Sequence, residues 1–231
     1  MKNTIGAEES GSATETHKKN GSVSKERILK YAAKEFLKKG WEKSNIRDIA
    51  KKAGLTTGSV YFHFKNKEAL FDALVKDTYF GLLKKQKLMY KKHFAISVLQ
   101  QKERRALRLA ERKSMLEYAY SHFEPMRLLL CAAQGTKYED LFDKMMETLR
   151  KADTYAYTEC SAMQNLPYVD IDLFVTIDKT FWECLFETVR RNISYERAQD
   201  YVLILDDFYE AGWYKIFFDP DPAYKKNLNI L

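Results

Sequence analysis

Only three cysteines occur in 231 residues, Cys131, Cys160 and Cys184, widely spaced and odd in number. They offer neither a disulfide framework nor the paired spacing of a zinc site. No apolar run approaches the roughly 20 residues that a membrane span requires. Met1 is followed by polar residues rather than the apolar core of a signal peptide. A soluble, cytoplasmic chain without membrane association is expected. Also missing are a Gly-rich phosphate loop, a nucleophile elbow and any metal-ligand spacing. No catalytic residue, metal or cofactor is therefore expected, and a helical enzyme is the remote alternative.

The chain is 45% hydrophobic and 31% charged, enough to build a core and unlike a disordered or collagenous composition. Its net charge of +7 is unevenly spread. Up to Lys92 there are 21 Lys and Arg against 10 Asp and Glu; from His93 onward there are 18 against 22. A basic first part beside a mildly acidic remainder assigns one end to a polyanion, nucleic acid before anionic membrane.

Residues 1–22 are polar with almost no large apolar side chains, and read as a mobile tail. Helical periodicity starts near Ser24 with Ile28, Leu29, Ala32, Ala33, Phe36 and Leu37, and stops at Gly40. Ser44 and Asn45 can each cap a short second helix ending at Gly54, and Thr56 or Thr57 a short third. Asn66 caps a long fourth. Beyond it Pro125 suits a first helical turn, and Thr136 with Glu139 has the form of a capping box opening the next helix. Asp170 and Ser194 cap the last two helices. No segment alternates with the period of a strand. The expectation is an all-α chain of about nine helices.

Residues 46–64 are the informative segment. Two short apolar-faced helices are joined at Gly54, with small Ala50 and Ala53 at their crossing and Ile49, Leu55 and Val60 to pin them. This is the make-up of a helix-turn-helix. Its second helix presents Thr57, Gly58, Ser59, Tyr61 and His63 outward, while Phe64 reads as core. Gly58 costs about 1 kcal/mol of helix propensity relative to alanine, which close approach of DNA would explain.

The stretch from Arg27 to Asp77 resembles the DNA-binding domain of the TetR family of bacterial transcriptional regulators. The resemblance rests on Ile28, Ala32 and Phe36 before Gly40, on Ile49-Ala50 and Ala53-Gly54, on Gly58 through Phe64, and on Lys67-Glu68-Ala69-Leu70. It implies that Thr57, Gly58 and Ser59 meet base edges, and that Tyr61, His63, Lys67, Ser44, Arg47 and Thr56 meet the phosphate backbone. Asn66 stands where the family most often has serine, and both cap. The second helix lacks Arg, Gln and Asn, so hydroxyl and methyl contacts, water and DNA shape are left to carry specificity.

The resemblance also implies a division into the tail (1–22), a helix-turn-helix domain (23–68) and a larger helical ligand-binding and dimerisation domain (69–231). Phe181, Leu185 and Val189 form a stripe on one late helix; Val202, Leu205, Tyr209, Trp213 and Ile216 lie on the last. Both helices are apolar around much of their girth, so burial against a second copy is expected. Met115, Tyr118, Phe123, Met126, Cys131, Tyr155, Tyr157, Met163 and Phe174 fall where the family encloses an inducer. The implied function is a homodimeric repressor released from a palindromic operator on double-stranded DNA by a small hydrophobic or amphipathic ligand. The alternative is a DNA-binding dimer without such an inducer, controlled by a protein partner or by abundance.

Overall fold

Apolar residues three and four apart become helix throughout the computed structural model, which describes residues 10–96, 100–151 and 170–219. Among the described residues there are nine helices and no strand. They are α1 (Ser10–Lys43), α2 (Ile46–Lys52), α3 (Thr57–His63), α4 (Lys67–Phe94), α5 (Gln101–Ser121), α6 (Phe123–Cys131), α7 (residues 141–151), α8 (Ile171–Arg190) and α9 (Tyr195–Phe218).

α1 starts at Ser10, well ahead of the expected cap at Ser24. Adding a residue to an existing helix fixes one residue per hydrogen bond, whereas starting one fixes several. A polar stretch can therefore extend a helix that it could not nucleate. Residues 1–9 of the expected tail lie outside the described residues. At its other end α1 breaks at Gly40, whose φ of 77° with ψ of 164° is not the left-handed helical cap expected of a helix-ending glycine but an extended positive-φ backbone open essentially to glycine alone.

α1 supplies Ile28, Ala32, Ala33 and Phe36 to a core shared with Ile49 and Ala50 of α2, Val60 of α3, and Leu70 and Phe71 of α4. Phe36 and Phe71 meet edge to face, with centroids 5.1 Å apart. α4 then continues among the remaining helices, so one rigid rod belongs to both parts of the molecule. Its joint with the larger part is polar as well as packed. Tyr138 donates a hydrogen bond to Asp72, Lys137 pairs with Asp72 at 2.6 Å, and Tyr79 donates to Asp140 at 3.0 Å. The Trp41 amide donates to the carbonyl of Ala132, just beyond α6, at 3.2 Å.

Two sequence expectations change here. The capping box at Thr136 and Glu139 forms out of register. Thr136 Oγ1 accepts from the Tyr138 amide, and Glu139 accepts from the Gly135 amide. A turn is stabilised instead, and the helix begins at residue 141. The second change concerns the apolar stripe assigned to a partner subunit. Phe181, Leu185, Val189 and Val202 are wholly buried inside the chain itself. Leu205 and Tyr209 pack against the same core, and the Trp213 ring lies tilted against Phe174 with centroids 4.8 Å apart; Trp213 and Ile216 are half-buried.

What α9 leaves outside is Ile204 and Phe208, 67% and 73% exposed, while Asp206 between them is buried. α5 explains the inversion. Arg112 pairs with Asp206 at 2.5 Å, Arg108 with Asp206 and Glu210, and Arg105 with Asp207 at 2.8 Å. Asp206 thus faces inward on arginines and Glu210 is partly covered, whereas the exposed Asp207 shares the outer face with Ile204 and Phe208.

Candidate nucleic-acid interface

The local chemistry of α2 and α3 fixes their angle before any partner is present. Asn45 caps α2 by accepting from the Asp48 amide at 2.8 Å, and Thr56 caps α3 by accepting from the Ser59 amide at 3.1 Å. Gly54 sits between them with φ 63°. The Leu55 amide closes the turn on the Ala50 carbonyl at 2.9 Å, and Arg27 reaches from α1 to the Ala53 carbonyl. A buried carboxylate locks α2 to α1: Glu35 pairs with both Lys39, at 2.7 Å, and Lys52. Burial would raise the Glu35 pKa, but the hydrogen bonds from Lys39 and Lys52 hold it below the ordinary carboxyl value. Lys39 also reaches Asp48 at 2.8 Å, and that bond leads the causes that push the lysine up to about 12.

α3 buries one side only. Val60 and Phe64 face the core, and Phe64 is core as expected. Gly58 and Tyr61 are exposed; Thr57, Ser59 and His63 are half-buried. Thr56 is exposed, but its hydroxyl oxygen lies 2.9 Å from that of Ser59, so capping engages both hydroxyls. Arg47 stands exposed on α2. Arg47, Thr56, Gly58 and Tyr61 are thus open to a partner, and Thr57, Ser59 and His63 partly so.

Two expected backbone-contacting residues are placed otherwise. Ser44 is 4% exposed, and its hydroxyl donates to the Trp41 carbonyl at 2.7 Å. Lys67 turns back onto the end of α1. Its Nζ donates to the carbonyls of Trp41 (2.8 Å), Ser44 (3.0 Å) and Glu42 (3.3 Å), and lies 4.1 Å from the centre of the Trp41 ring. Burial pulls the Lys67 pKa down, against the raising effect of Glu42. The physical reason is that a helix end leaves carbonyls without partners, and a cation beside them satisfies both their lone pairs and the helix dipole. Ser44 and Lys67 thus brace the interface from behind.

One surface residue escaped the sequence reading. Phe62, in α3, is 84% exposed, the most exposed large apolar side chain among the described residues. A phenylalanine left in water forgoes roughly 1.5–3 kcal/mol of burial. Helical spacing could have found it: it follows Gly58 by one turn and lies across the helix from Val60 and Phe64. Lys65, three residues on, and Lys25 of α1, whose Nζ lies 6.0 Å from the centre of the Phe64 ring, are further exposed cations.

The expected inducer-contacting residues are less concentrated. Met115 and Met126 are fully buried core. Tyr118 donates to the Thr78 carbonyl at 3.3 Å and presses on Gly81, where an added Cβ would come within 2.0 Å of its hydroxyl. Phe123 packs at a tilt against Tyr120, and Phe174 likewise against Trp213. Tyr155, Tyr157 and Met163 lie outside the described residues. Cys131 alone of the set lines a cavity of about 360 Å³ between α6, the 132–140 turn, α7 and α8. Leu129, Leu130, Leu141, Phe142 and Arg190 also line it. Cys131 is exposed at this opening, and the partial burial of its sulfur raises the thiol pKa.

Residues 28–74 match the family model described as bacterial regulatory proteins, tetR family. The chain is 43% identical over 60 residues to the uncharacterised HTH-type transcriptional regulator YdgC of Bacillus subtilis, covering 26% of this chain and 31% of that protein. It is 38% identical over 53 residues to the HTH-type transcriptional repressor KstR2 of Mycolicibacterium smegmatis, covering 23% and 26% respectively. The matched segment thus spans about a third or less of these relatives. A crystal structure of the TetR-family regulator PfmR from Thermus thermophilus is similar over 78% of this chain and 92% of that one. Its TM-score is 0.50 at 22% identity, a likeness of fold.

Proposed function

We propose that this chain, whose residues 28–74 form a DNA-binding domain of the TetR family, is a homodimeric transcriptional repressor. The observation that carries the reading is the outward face of α2 and α3. Arg47, Thr57, Gly58, Tyr61 and Phe62 share it, on a scaffold capped and ion-paired from behind. α3 enters a major groove; Arg47, Tyr61 and His63 hold phosphates and fix its register. Two copies related by a two-fold axis place two such helices about 34–36 Å apart on a palindromic operator. The exposed Ile204 and Phe208 of α9 supply the apolar surface for that pairing. A domain of this kind supports a regulator rather than an enzyme.

Release comes from a small hydrophobic or amphipathic ligand. The support is mechanical: the same turn that lines the 360 Å³ cavity also holds α4 through Asp72 and the α1–α2 corner through the Trp41 amide. A ligand that prefers the arrangement with misplaced recognition helices draws the population off DNA.

Selection of bound duplexes from a random pool at near-physiological salt, with wild type and Tyr61→Ala side by side, tests the DNA reading. Wild type is expected to enrich a palindrome that the variant does not. A folded wild-type protein that enriches nothing would remove the regulator reading. Ligand control is then tested on the selected duplex, where an effector must weaken operator binding by the same factor by which operator weakens effector binding.

A further inference from the structure

The geometry points to Phe62 as a specificity-determining residue that reads the 5-methyl group of a thymine in each operator half-site. The inference rests on the DNA-binding reading above and goes past it to the bases recognised.

Three observations meet at this residue. The first is direction. At 100° per residue Phe62 lies about 160° from Val60, the buried side chain of α3, and Phe64, the residue that ends the helix, is buried too. It therefore projects along the outward normal of α3, and its recorded ring partner is His63, edge-on at 5.1 Å.

The second is the space beside it. Gly58 stands one turn earlier on the same side. An added Cβ there would meet only Thr56 Oγ1, at an ordinary 3.7 Å. The fold thus does not require the missing side chain, which leaves bare backbone next to an exposed ring. A flat partner can approach both together.

The third is what α3 lacks. Between Thr56 and Phe64 there is no Arg, Lys, Asn, Gln, Asp or Glu. Bidentate recognition of guanine or adenine needs such side chains, so α3 cannot perform it. The Thr56 and Ser59 hydroxyls are already engaged with each other. The apolar feature that the major groove offers is the thymine methyl, and a phenylalanine ring is a suitable partner for it. Exposed cations flanking the helix, Arg47 and Lys65 among them, suit phosphates and not an apolar protein partner.

The test uses the full-length protein and the duplex selected from a random pool. Thymines of one half-site, and their symmetry mates, are replaced one position at a time by deoxyuridine, which removes the methyl and leaves pairing unchanged. Dissociation constants are measured for wild type and Phe62→Ala, both shown folded by their thermal midpoints. At one or two positions the replacement is expected to weaken wild type about three- to tenfold. At those positions Phe62→Ala should bind the thymine and uracil duplexes equally. Wild type indifferent to every replacement, or an equal loss in Phe62→Ala, would overturn the inference while leaving sequence-specific binding intact. No enriched duplex at all would instead overturn the DNA-binding reading and this inference with it. Selective capture of a protein by Phe62, with no methyl dependence on DNA, would reassign the face.

Discussion

Lys67 and Arg47 are both cations near the same surface, yet the structure gives them different work. Lys67 spends its donors on three carbonyls at the end of α1 and covers the Trp41 ring. Removing it takes a charged donor from two part-buried carbonyls and one exposed one, at a cost of about 1 kcal/mol. Arg47 is exposed on α2, where loss of a side chain typically changes stability by less than about 0.5 kcal/mol. Lys67→Ala is therefore expected to lower the urea midpoint and leave the salt dependence of DNA binding nearly unchanged. Arg47→Ala should do the reverse, reducing the slope of log K against log salt by about one. A lowered slope with unaltered stability in Lys67→Ala would mean that its ammonium swings out to a phosphate on binding.

At the scale of the helix, α3 carries a residue that its own folding does not favour. Gly58 has neither a left-handed backbone nor a crowding neighbour. Gly58→Ala should accordingly raise stability, by a few tenths to about 1 kcal/mol, while weakening operator binding. Urea titration and fluorescence anisotropy on the same sample measure both effects. Unaltered binding would mean that DNA does not approach this backbone closely.

The helices themselves were legible because their caps and glycines are local signals. Asn45, Thr56, Asn66, Asp170 and Ser194 each cap where the sequence places a cap. Signals set by distant partners were not legible. Nothing in the order of residues says that Asp206 will be buried on Arg112, so the outward face of α9 could not be told from its inward one. The hold of Lys67 and Ser44 on carbonyls at the end of α1 was not legible for the same reason: those partners lie on another helix or across a turn. Phe62 was within reach of sequence reasoning, since helical spacing alone sets it opposite Val60, but an aromatic inside a hydrophobic run is easily taken for core.

For the whole molecule, the inversion of α9 decides how two copies would meet. The arginines of α5 draw Asp206 and Glu210 towards the chain, and this turns Ile204 and Phe208 to solvent beside the exposed Asp207. On α8, Leu173 and Cys184 are exposed as well, whereas Phe181, Leu185 and Val189 are not. Core and interface can therefore be separated by substitution. Leu185→Ala should cost about 2–5 kcal/mol, the range for a buried leucine, and leave the oligomeric state of the folded fraction unaltered. Ile204→Lys combined with Phe208→Glu should leave monomer stability nearly intact but yield a monomer by light scattering. Operator affinity should then fall at least 100-fold, because a palindrome would be held by one recognition helix at a time and the gain from tethering two sites is lost. If the double variant remains a dimer with full affinity, the outward face of α9 is not the pairing surface. If Leu185→Ala dissociates the dimer while the subunit stays folded, pairing runs through the α8 stripe after a rearrangement of the chain.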